Sequence, residues 1–86
     1  MRQPQTVVTL AQHWGSAVAK RRALLSLSQA QLAEICGVTQ QTISKIESGR
    51  MIPHDRLKVV LATRMGTEPS ALFVWPQRSA LHEGAA

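Results

Sequence analysis

Leu27-Ser28-Gln29-Ala30-Gln31-Leu32-Ala33-Glu34-Ile35-Cys36-Gly37-Val38-Thr39-Gln40-Gln41-Thr42-Ile43-Ser44-Lys45-Ile46-Glu47-Ser48-Gly49-Arg50 is the stretch on which the fold turns. Ser28 can cap a helix, Gln31 stands where a capping box needs its second partner, and Leu27 and Leu32 flank them as a hydrophobic staple. The pattern predicts a short helix from Gln29 to Cys36, with Leu32, Ala33, Ile35 and Cys36 on its apolar side. Gly37 ends it, because glycine tolerates the left-handed backbone that closes a helix. Thr39 then caps another helix, with Val38 stapled towards Ile43, and Ile43 and Ile46 mark its buried face. Ser48-Gly49 stops that helix.

Only Gly37, Val38 and Thr39 separate the two helices, the spacing of a helix-turn-helix unit. Upstream, Thr9 caps a helix expected to run from Leu10 to Leu25, where Leu10, Trp14, Val18 and Leu25 recur at helical spacing. Gly15 weakens its middle, so the turn before Gly15 reads as an extension or a separate piece. Downstream, Pro53 suits the first turn of a fourth helix, outlined by Leu57, Val60, Leu61 and Met65 and closed by Gly66. Glu68 to Phe73 forms a last short one, and Trp75-Pro76 ends the ordered core. The expected fold class is all-α, a compact bundle of about five short helices over residues 9–76. Residues 1–8 read as a flexible arm and 77–86 as a flexible tail.

The chain is 86 residues long, enough for one domain of modest core. It is 44% hydrophobic but only 3% aromatic, which favours helices over sheet. Ten Lys or Arg oppose five Asp or Glu, a net charge of +5 that attracts polyanions. Many small proteins are basic for solubility alone, so the placement of the charge has to decide. Cys36 is the single cysteine, and no signal peptide or long apolar segment is present, so the default location is the cytoplasm. His13, His54 and His82 lie far apart with no second ligand at metal spacing, and no metal or cofactor is expected. No nucleophile with a base, paired carboxylates or phosphate loop suggests an enzyme.

On a helical wheel the third helix divides cleanly. Ile43 and Ile46 point inward, while Gln40, Gln41, Ser44, Lys45 and Ser48 point outward with no acid among them. A face lying between two phosphate strands cannot carry carboxylates without repulsion, and a glutamine carboxamide matches the major-groove edge of adenine. Paired glutamines taken alone are better explained by a polar helix surface; their position opening the second helix of the unit favours DNA. Glu47 falls near the buried seam and needs a partner, for which Arg22 is the best placed, although the spacing equally allows two separate surface charges. Ser28 and Gln29, beside free backbone N–H groups, are candidate phosphate ligands. Arg50, Arg56 and Lys58 are further ones.

These residues together resemble the Cro/C1-type (XRE-family) helix-turn-helix of phage repressors and bacterial regulators. The resemblance extends from about Gly15 to Phe73, and is carried by Arg22, Ser28-Gln29, Leu32-Ala33, Gly37-Val38, Ile43-Ser44, Glu47 with Gly49, and Pro53, Ala62 and Gly66 downstream. It implies a five-helix, lambda-repressor-like DNA-binding domain and a dimer on a two-fold-symmetric operator, with half-sites about one DNA turn (~34 Å) apart. It further implies that Gln40, Gln41, Ser44 and Lys45 face bases, as in lambdoid repressors with a similar Thr39-Gln40-Gln41 run. Gln29 would touch phosphate and brace Gln40; Ser28, Thr39, Ser48 and Arg50 would hold the DNA backbone; Arg22 and Glu47 would form the internal ion pair. The family's leucine five residues after the proline is Lys58 here, and Leu57 is expected to take its place.

The expected function is that of a sequence-specific transcriptional regulator, a repressor acting as a homodimer, with double-stranded DNA as partner and no membrane or small-molecule substrate. Phe73, Val74 and Trp75 are the candidate dimer contact, with closure of the monomer core an equal alternative for Trp75. The competing reading is an antitoxin-like or adaptor module that binds a protein first and DNA second.

Overall fold

The computed structural model describes residues 8–75 and contains five helices and, among the described residues, no strand. The expected tail over 77–86, and all but Val8 of the expected arm over 1–8, lie outside the described residues.

Helix α1 spans Leu10–Leu24. Thr9 Oγ1 accepts from the Gln12 backbone N–H at 3.1 Å and Gln12 Oε1 accepts from the Thr9 N–H at 3.0 Å, a full capping box. Of the two alternatives the sequence left open for the turn before Gly15, the structure has the extension, and α1 runs through Gly15 without a break. Gly15 is buried where α1 crosses α3, and a Cβ there would run into the carbonyl oxygens of Ile46 and Glu47. The glycine therefore sets how closely two helices approach, and its cost in helix propensity is offset by that packing. Leu25, expected on the apolar face, is instead the exposed C-cap residue.

Helix α2, Gln29–Cys36, begins with reciprocal bonds between Ser28 and Gln31 of 3.0 and 2.7 Å. Gly37 at φ +73° closes it, with the Val38 N–H reaching back to the Ala33 carbonyl at 3.0 Å. Leu32 and Ala33 are buried, but Ile35 is 42% exposed. At 3.6 residues per turn Ile35 lies well round the helix from the face that Leu32, Ala33 and Cys36 share. Partial burial pushes the Cys36 thiol above its ordinary range, with nearby Arg64 opposing the shift.

Helix α3, Gln40–Glu47, is capped by Thr39 Oγ1, which accepts from the Thr42 N–H at 3.2 Å. Helix α4 spans Asp55–Arg64 and α5 spans Pro69–Leu72. Pro53 is buried but precedes α4 instead of lying in its first turn. The cap is His54, whose Nδ1 accepts from the Leu57 N–H at 3.2 Å. Leu57 does occupy the core, as expected, and the side chain of Lys58 crosses the Trp14 ring 4.2 Å from its centroid.

The core joins Trp14 and Val18 of α1, Leu32 and Ala33 of α2, Ile43 and Ile46 of α3, Leu57, Leu61 and Ala62 of α4, then Met65, Leu72 and Phe73. Trp14 closes one end: its Nε1 donates to the Val74 carbonyl at 2.8 Å, and its ring meets those of Phe73 and Trp75 edge to face. Arg21 Nε donates to the Met65 carbonyl at 2.9 Å and its Nη2 to that of Gly66 at 3.2 Å, fastening α1 to the C-terminal end of α4.

Candidate nucleic-acid interface

With Ile43 and Ile46 fully buried, α3 is held by one stripe and its opposite face is left to solvent. Gln40, Gln41, Lys45 and Ser48 are exposed and Ser44 is half-buried. Gln41, Ser44, Lys45 and Arg50 line one shallow hollow of ≈ 200 Å³.

The single acid of α3 is withdrawn from this face. Glu47, its side chain only 7% exposed, receives Arg22 Nε at 2.7 Å on one carboxylate oxygen and Arg22 Nη2 at 3.0 Å on the other. The paired fork geometry, one of the two alternatives the sequence left open, is the stronger form of this contact. The bond to Glu47 raises the Arg22 guanidinium above its ordinary pKa against the opposing effect of burial. Arg22 Nη1 also donates to the Leu27 carbonyl at 2.7 Å, so one side chain ties α1, the turn before α2 and the last turn of α3 together.

Gln29, expected to brace Gln40, has turned to the same carboxylate instead, donating from Nε2 to Glu47 Oε1 at 2.9 Å. A carboxylate accepts several donors, and Glu47 lies within reach of the N-terminal end of α2. Ser28 and Thr39 are exposed at the N-termini of α2 and α3, with their hydroxyl oxygens engaged as caps. Lys58, a candidate phosphate ligand by sequence, is engaged by Trp14 and by Asp55 at 3.6 Å, while Arg56 stays exposed.

Arg50 is drawn back to α3. Its backbone N–H bonds the Lys45 carbonyl at 2.9 Å across Gly49, whose φ is +78°, and its Nε donates to Ser48 Oγ at 2.9 Å. Of the candidate dimer residues, Phe73 is buried in the monomer against Trp14, and only Val74 and Trp75 are exposed, Trp75 by 68%. The anchoring roles of Arg21 and His54 escaped sequence reasoning. Arg21 precedes Arg22 without distinction in charge pattern, and histidine is not among the strongly preferred helix caps.

Residues 18–72 match the model of the helix-turn-helix family HTH_3. The chain belongs to this family, the Cro/C1-type (XRE) helix-turn-helix regulators. Among solved structures, the helix-turn-helix chain is similar to the restriction-modification controller protein C.AhdI from Aeromonas hydrophila, with 26% identity, a TM-score of 0.70, and 72% of this chain and 94% of that one covered. It is also similar in fold to the clp gene regulator ClgR from C. glutamicum, at 22% identity and a TM-score of 0.75, covering 85% and 91% of the two chains. The hypothetical transcription factor NHTF from Neisseria has the same fold at 21% identity and a TM-score of 0.74, covering 90% and 92%. A search of curated protein sequences gives no match. Family membership and these neighbours support a DNA-binding transcriptional regulator. Among the described residues, no helix is long and apolar enough to cross a membrane, and no three His, Cys, Asp or Glu side chains gather as a metal site.

Proposed function

We propose that this helix-turn-helix protein is a sequence-specific double-stranded DNA-binding regulator that acts as a repressor by occupying a two-fold-symmetric operator as a homodimer. The observation that carries the reading is the acid-free face of α3: Glu47 is turned inward to Arg22 and Gln29, while Gln40, Gln41 and Lys45 stand in solvent. A helix so presented enters a major groove without like-charge repulsion, and two carboxamides at its leading end suit adenine. Gln40, Gln41, Ser44 and Lys45 are assigned to bases. Ser28, Gln29, Thr39 and Ser48 are assigned to the sugar-phosphate backbone, which supplies affinity and fixes register. No chemistry is required of the protein; occupancy of a promoter suffices.

Selection of bound sites from a random DNA pool tests the whole reading. A palindromic consensus with half-sites about one helical turn apart is expected. Recovery of unselected sequence, together with co-purification of a stoichiometric protein partner, would instead favour a protein-binding adaptor.

A further inference from the structure

We propose that Arg50 is a specificity-determining residue that reads a guanine in the major groove, a role that rests on the assignment of α3 as the DNA-reading helix. Its place beyond the end of that helix would suit a simple backbone contact, but the side chain, though exposed, is braced at the edge of the α3 face. The left-handed Gly49 and the Arg50 N–H bond to the Lys45 carbonyl turn the chain back over the last turn of α3. Arg50 therefore lines the same ≈ 200 Å³ hollow as Gln41, Ser44 and Lys45.

The side chain is braced as well as placed. Arg50 Nε donates to Ser48 Oγ at 2.9 Å, and Ser48 Oγ donates in turn to the Lys45 carbonyl at 3.2 Å. With Nε held, the edge carrying Nη1 and Nη2 remains as a planar fork. That fork matches O6 and N7 of guanine, the commonest base-specific contact an arginine makes. A phosphate contact tolerates a swinging cation, whereas discrimination between bases needs a donor pair held in one orientation, and bracing reduces the rotamer freedom lost on binding. Gln40 and Gln41 suit adenine, and Lys45, although its ammonium can also donate to guanine, lacks the rigid planar fork and the side-chain brace that Arg50 has.

The experiment uses the full chain and the consensus site obtained by selection, with 7-deazaguanine placed at each guanine in turn, and compares wild type with Arg50→Lys and Arg50→Ala. Circular dichroism confirms that both variants fold. One guanine per half-site is expected at which removing N7 weakens wild-type binding about 5- to 150-fold, with little further loss in Arg50→Ala. Arg50→Ala should lose preference at that position, whereas Arg50→Lys should retain most of the salt dependence with preference there reduced, since an ammonium can still donate to guanine but is not held as a fork. The proposal is overturned if both variants keep the wild-type base preferences at every position and Arg50→Ala weakens all sequences alike with a salt slope shallower by about one, the signature of a phosphate contact. If wild type selects no sequence and Gln40 and Gln41 changes are silent, the DNA-reading assignment of α3 fails first, and that result is distinct from the failure of Arg50 alone.

Discussion

Gly15, in the first half of α1, lies against the carbonyl oxygens of Ile46 and Glu47 at the end of α3 with no room for a Cβ atom between them. The contact is between backbones, which cannot yield as a flexible side chain does. Gly15→Ala should therefore lower stability by about 1 to 3 kcal/mol, towards the upper end, despite the better helix propensity of alanine. Urea unfolding provides the check, and an unchanged or higher midpoint would show that the helices are not this close.

The Arg22–Glu47 pair should behave as a partly buried ion pair. Glu47→Leu removes the carboxylate from Arg22, leaving it only the Leu27 carbonyl, and takes the acceptor from Gln29, and should cost somewhat less than the about 3 to 5 kcal/mol of a fully buried case, because Arg22 is 20% exposed. Arg22→Met combined with Glu47→Leu should recover part of that loss in the same unfolding measurement. A double variant as unstable as the sum of the singles would contradict the pairing. The pair raises the Arg22 pKa, so its contribution through that group is present below the unfolded value and lost only as pH rises through the higher folded value. Alkali up to the ordinary guanidinium range should leave this contribution in place.

Ser26, between α1 and α2, has φ +58°, the only positive value at a non-glycine residue among those described. An L side chain pays about 1 to 2 kcal/mol in that region. Ser26→Gly should recover part of this, about 0.5 to 1 kcal/mol after the greater freedom of glycine in the unfolded chain is subtracted. Thermal unfolding should register a rise of a few degrees; a fall would mean that the Ser26 side chain has a role its geometry does not suggest.

On the proposed function, changing Gln40 or Gln41 to Ala should weaken binding to the selected operator by about 1 to 3 kcal/mol and relax preference at one base pair per half-site. Titration against single-base-pair variants of the operator measures this directly. Intact footprints in both variants would move the reading face elsewhere.

Phe73 and Trp75 should separate cleanly. Phe73→Ala removes a buried ring and should cost about 3 to 5 kcal/mol of monomer stability. Trp75→Ala should alter monomer stability by about 1 kcal/mol or less, while making DNA binding depend more steeply on protein concentration if Trp75 anchors the dimer. Sedimentation of both variants off DNA distinguishes the two effects.

Much of the candidate site is legible in the sequence because its signals are local. Ser28 with Gln31, Gly37, Thr39 and Gly49 act within a few residues, so their roles hold whatever the rest of the fold does. The buried positions Leu32, Ile43 and Ile46 follow from helical period. The same reasoning misplaces Ile35, because the eight-residue α2 gives a period little length in which to declare itself, as well as Leu25, which falls at the C-cap of α1, and Pro53, which stands before the cap of α4. Their surroundings then depend on the neighbouring helix or on an unusual cap such as His54.

The sequence by itself determined the two helices around Gly37, their caps, and an outward face of Gln40, Gln41, Ser44 and Lys45, because each rests on the spacing of nearby residues. Only the tertiary structure decided what Gly15 and Glu47 do. Gly15 meets α3 across a helix crossing, and Glu47 collects donors from α1 and α2. Distances between elements of this kind are set by how helices pack, and no run of neighbouring residues encodes them.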